Sequence, residues 1–70
     1  MSHFDPERIQ VMRNALEDVM TKVPPEYSTS TIKAYLAQCI LKAAAQAPVS
    51  RDELVAVAEN QLPVAISLFT

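Results

Sequence analysis

The chain has 70 residues, a formal net charge of −2, six Lys or Arg, one cysteine and no glycine. This length holds one domain. So few cations argue against the concentrated positive surface that nucleic acid or an anionic membrane requires, and a lone cysteine excludes an intramolecular disulfide. Without glycine, phosphate-cradling loops are excluded and tight hairpin turns are strongly disfavoured, so Pro6, Pro24, Pro25, Pro48 and Pro63 must punctuate the fold together with capping side chains.

Such a small chain buries only about 60% of its unfolded surface. The apolar burial term, on the order of 100 kcal/mol, is offset by an ordering cost of about the same size. Domains in this position commonly gain stability from a disulfide, a metal or a second subunit. His3 is the only histidine and Cys39 the only cysteine, so self-association is the expected aid.

The first helix is expected over about 6–23. Asp5 is placed as its N-cap, Pro6 takes the first helical position, and Glu7 complements the helix dipole. Ile9, Met12, Leu16, Val19, Met20 and Val23 fall within about 100° on a helical wheel, leaving Val11 opposite them. Arg13 with Glu17, and Asp18 with Lys22, have the spacing of surface ion pairs. Pro24-Pro25 stops the helix.

The second helix is expected over about 29–46, capped by Ser28 or Ser30. The hydroxyl run Ser28-Thr29-Ser30-Thr31 is read as capping and not as an anion site. This helix is apolar on two sides. One face carries Ile32, Leu36, Cys39, Ile40, Ala43 and Ala47; the other carries Ala34, Ala37, Leu41, Ala44 and Ala45. A helix apolar on two sides has to be covered on two sides, which makes it the central helix.

The third helix is expected from Arg51 to about 61. Ser50 and Glu53 form a capping box, with Val49 and Leu54 as its hydrophobic staple. Leu54, Val55, Val57, Ala58 and Leu62 are its buried face. Pro63 removes the hydrogen bond to the Glu59 carbonyl, so residues 63–69 are expected either to continue as a kinked helix or to form a short fourth one. Val64, Ala65, Leu68 and Phe69 return to the sector of Leu54, Ala58 and Leu62.

No chemical constellation emerges. His3, Asp5 and Glu7 alternate as ligands would on a strand, but here the chain is entering a helix. Cys39 lies mid-helix on the main apolar face, where it reads as a small hydrophobe. Asp52, Glu53 and Glu59 read as a solvated face, and Met12 and Met20 as core. The cadence from Ile40 through Pro48 to Leu54 is that of a helix-turn-helix, the alternative reading being a DNA-binding regulator. Its second helix opens with Arg51-Asp52-Glu53, whose carboxylates would repel a phosphate backbone.

Phe4-Asp5-Pro6-Glu7, Ala15-Leu16, Pro24-Pro25 and Ile40-Leu41-Lys42-Ala43-Ala44-Ala45, mostly caps and core, set the layout of the stretch from Phe4 to Gln46, about three-fifths of the chain. It resembles small uncharacterised alphaproteobacterial helical proteins of similar length. The resemblance implies a helical fold and a bacterial cytoplasm, and it carries no activity or site.

The sequence therefore predicts an all-α three-helix bundle that is not an enzyme and takes no cofactor or metal. It is expected to be cytoplasmic: Ser2-His3-Phe4-Asp5 has neither part of a signal peptide, and the apolar stretch 34–47 is too short to span a bilayer. The expected role is a protein-interaction module, homodimeric or binding another protein, with neither nucleic acid nor membrane as partner. The expected interface joins Ala34, Ala37, Leu41 and Ala44 of the second helix to Val64, Ile66, Leu68 and Phe69 of the tail, the apolar surface that three helices alone leave over.

Overall fold

A computed structural model describes residues 6–46 and 49–69. The expected cap Asp5, the His3 and Asp5 part of the alternating segment, and Ala47 and Pro48 lie outside the described residues. The described chain forms three helices: α1 (Pro6–Lys22), α2 (Ser30–Gln46) and α3 (Arg51–Phe69). A single 3-10 turn, Pro25–Tyr27, links the first two. The three pack against one another as an all-α bundle of 36 × 19 × 18 Å.

Each helix end has a local cause. Pro24 and Pro25 cannot continue α1, and the 3-10 turn closes with Tyr27 N–H donating to the Pro24 carbonyl at 2.9 Å. The cap of α2 is Thr29 and neither of the expected serines. Its Oγ1 accepts from Ile32 N–H at 3.2 Å, while its carbonyl accepts from Lys33 N–H at 3.0 Å. At α3 the capping box forms as expected: Glu53 N–H donates to Ser50 Oγ at 3.2 Å, and Ser50 N–H donates to Glu53 Oε1 at 2.9 Å.

Pro63 does not break the chain. It lies inside α3 on the exposed side, and the helix runs on to Phe69. The missing hydrogen bond therefore falls on the wet side of the helix. The expectation of a separate fourth helix is set aside.

The core is a column of aliphatic side chains. Ile32, Leu36, Ile40 and Ala44 form one buried stripe along α2, each four residues from the next. Leu54, Val55, Ala58 and Ala65 of α3 and Ala15, Val19 and Val23 at α1 complete it. Ala15, Ala58 and Ala65 are fully buried, and small side chains at these positions let the backbones approach closely.

The seating of α1 differs from the apolar wheel. Its most buried residues are Ala15 and Val19, with Val11 packed on the core, while Ile9 remains 44% exposed. The helix is thus rotated toward Val11 and Ala15, and part of its apolar stripe faces outward. Arg8 fixes its level against α2: the Nη2 group donates to the Ala44 carbonyl at 3.0 Å, near the last turn of α2. A cation there also meets the negative end of the α2 dipole.

The surface ion pairs also differ from those expected. Lys22 bonds Glu59 of α3 at 2.8 Å, and Asp18 faces Arg51 of α3 at 3.5 Å. Neither Asp18–Lys22 nor Arg13–Glu17 is present as a pair among the described residues.

Candidate interaction surface

The rotation of α1 opens a groove between α1 and α2. Its walls are Ile9, Met12 and Leu16 on one side and Ala37, Ile40 and Leu41 on the other, with Arg13 and Gln38 at the rim. The hollow has a volume of about 310 Å³. Ile40 forms the floor, since it is buried, whereas Leu41 is 47% exposed on the wall. Arg13 and Gln38 apart, the lining is apolar, so the groove can exclude water from a partner but has no acid–base pair or nucleophile to act on one.

A second hollow, of about 400 Å³, lies nearer the start of α2, lined by Ser30, Thr31, Ala34, Tyr35, Gln38 and Phe69. Gln38 belongs to both hollows, so they adjoin along the outer face of α2. The end of α3 is fastened here. Tyr35 and Phe69 meet edge to face with ring centroids 5.8 Å apart, and the Tyr35 hydroxyl lies 3.2 Å from Gln61 Oε1.

The residues expected to form an interface divide into three groups. Ala37 and Leu41 line the groove, and Ala34 and Phe69 line the adjoining hollow. Val64 and Leu68 are exposed on α3 but line neither. Ala44 and Ile66 do not belong to an outer surface. Ala44 continues the Ile32–Leu36–Ile40 stripe and is buried, and Ile66 packs against the core. A two-face reading of α2 assigns Ala44 to the outer side, but its four-residue spacing from Ile40 carries it inward.

Of the α1 wall, Ile9 is exposed where a core position is expected, whereas Met12 and Leu16 pack against the core as expected and also line the groove; the fully buried Ala15 and Val19 beside them show the rotation. Cys39 is half-buried and not part of the fully buried core; it lines a mixed hollow with Lys42, Gln46 and Gln61 and with Ala43 and Val57.

No known family, characterised protein or solved structure matches this chain. Function must then be argued from the surface itself. Among the described residues, no group of three His, Cys, Asp or Glu side chains gathers as a metal site would. No described helix is long and apolar enough to cross a membrane. At the start of α3, Arg51 is turned toward Asp18 of α1 and Asp52.

Proposed function

We propose that this chain is a protein-interaction module that works by self-association, and that the α1–α2 groove with the outer face of α2 is the surface it uses. The observation that carries this reading is the groove itself, an apolar hollow open to solvent in a bundle that buries no polar side chain among the described residues. An open apolar groove is a surface that a partner can cover, and closing it adds to a core that is small for the chain's ordering cost. A standard interface takes roughly 800 Å² from each partner, about a sixth of the 4705 Å² this chain exposes, so one flank of the bundle suffices. The cytoplasm suits a chain whose one thiol has no partner in the same molecule.

Sedimentation equilibrium tests the reading. The expected result is a species of twice 7.7 kDa at micromolar concentration. Leu41→Glu should convert it to monomer without loss of helical circular dichroism, because Leu41 lies outside the core. A wild-type chain that stays monomeric up to millimolar concentration overturns the reading.

A further inference from the structure

The geometry points to a specific arrangement for this surface: a second copy of the chain docks antiparallel about a two-fold axis at the level of Ala15 and Ala37. Arg13 of each protomer then faces Glu17 of the partner subunit. This inference rests on the self-association proposed above and names its geometry.

The relative level of the two helices is given by their contacts. The short link from Lys22 to Ser30 joins one end of the pair, Arg8 reaches the Ala44 carbonyl at the other, and the groove sets Ile9, Met12 and Leu16 against Ala37, Ile40 and Leu41, so α1 and α2 run antiparallel. Seven residues on from Arg8 is Ala15, and seven back from Ala44 is Ala37. A two-fold axis lying in the interface and crossing both helices there exchanges residues equally spaced above and below it.

Two independent features become self-complementary about that line. On α1, Arg13 and Glu17 stand two residues either side of Ala15, both exposed and about 40° apart on the wheel. Among the described residues neither makes an ion pair, although Asp18 and Lys22 beside them both do. The axis brings each Arg13 to the partner's Glu17, giving two opposite-charge pairs across the edge of the groove. On α2, Ala34 and Leu41 stand at nearly equal heights either side of Ala37, and both are exposed. The axis sets the projecting Leu41 of one protomer against the small Ala34 of the other, so a ridge meets a gap twice.

A parallel arrangement lacks this match. It would turn the Arg13 edge of α1 toward α2 of the second copy, and α2 has no acidic residue. Charge complementarity therefore selects the antiparallel copy.

The test uses two full-length variants, Arg13→Glu and Glu17→Arg, each exchanging one good helix former for another at an exposed position. Alone, each replaces two attractive pairs by two repulsive ones and should weaken its own dimer by about 30-fold. Mixed in equal amounts they should form a heterodimer with affinity near that of wild type, because each acidic edge then meets a basic one. Pairing within a helix cannot produce rescue by mixing. Ala34→Trp, which fills the gap opposite Leu41, should abolish the dimer while circular dichroism is unchanged. If both charge variants dimerise as wild type does, the antiparallel geometry is overturned and self-association stands. If the wild-type chain itself is monomeric, both fall and the groove belongs to a different protein.

Discussion

Helix α1 meets its two neighbours in opposite ways. Toward α3 the seam is closed and its edge is charged: Lys22 reaches Glu59 and Asp18 faces Arg51 over it. Toward α2 the seam is open, and its edge is made of Ile9, Met12, Leu16 and Leu41 around a hollow of about 310 Å³. Ala15 and Val19 lie between the two edges on the wheel and are fully buried. Where polar residues cross the edge the seam is closed; where apolar ones remain, it is open to whatever the proposed association brings to it.

Substitution separates the two seams by size of effect. Leu36→Ala, at a fully buried position on the central stripe of α2, should cost about 2–5 kcal/mol by denaturant titration. In a domain this small that is enough to unfold much of the population at 25 °C. Leu41→Ala, five residues on and half exposed, should change monomer stability by less than about 1 kcal/mol while weakening association. If the two cost the same, the groove is already covered within one chain and the contrast between the seams fails.

Ala15→Leu probes the closed side. Ala15 has no exposed surface, and adding three carbons there should cost about 1–3 kcal/mol by overpacking. The same substitution at Ala34, on the open side, should leave the fold intact. Equal tolerance at both positions would show that α1 can shift in its seat.

Ser50→Ala should cost about 1 kcal/mol, because Glu53 N–H loses its acceptor at the start of α3. The loss is expected in the stability of the fold and not in the dimer constant. An effect confined to dimerisation would mean that the start of α3 takes part in the interface.

These contrasts also show what the chain made legible. The end of α1 and the start of α3 were readable because proline, Ser50 and Glu53 act within a turn of where they stand, and α1 closes at Lys22 beside the expected 23; the end of α3 was not, because Pro63 permits either a stop or a helix that runs on to Phe69. The seating of α1 was not, because a wheel weights side chains by hydrophobicity while close packing is decided by size. Ala15 adds little to an apolar stripe, yet it lies on the buried axis, and Leu16 beside it is pushed to the edge. The partners of Asp18 and Lys22 were hidden for a related reason. A four-residue spacing permits a pair, but it cannot compete with Arg51 and Glu59 once α3 lies alongside. Of the expected interface, Ala34, Ala37 and Leu41 were legible as an apolar excess on α2, whereas the opposite wall of the groove depended on that unread rotation.

The smallest expected effect bears on how the closed seam is held. Glu59 raises the Lys22 ammonium pKa above its usual 10.5, first through the side-chain hydrogen bond and then through its charge. A basic group whose folded pKa is raised contributes stability that is fully present below the unfolded value and is lost as pH rises through the folded one. Thermal melts of wild type and Lys22→Met, run from about pH 9 to about pH 12, should therefore differ at the lower end and converge at the upper. Comparing the two chains cancels every other group that titrates in that range. Both partners are well exposed, with side chains 53% and 42% accessible, so the difference should be slight and should shrink further in 1 M salt. A large and salt-insensitive difference would mean that charge holds α1 against α3. A slight one leaves the holding to Ala15, Val19 and Ala58, and makes the charged edge a cover that keeps this side of the bundle wet while the other side stays free to bind.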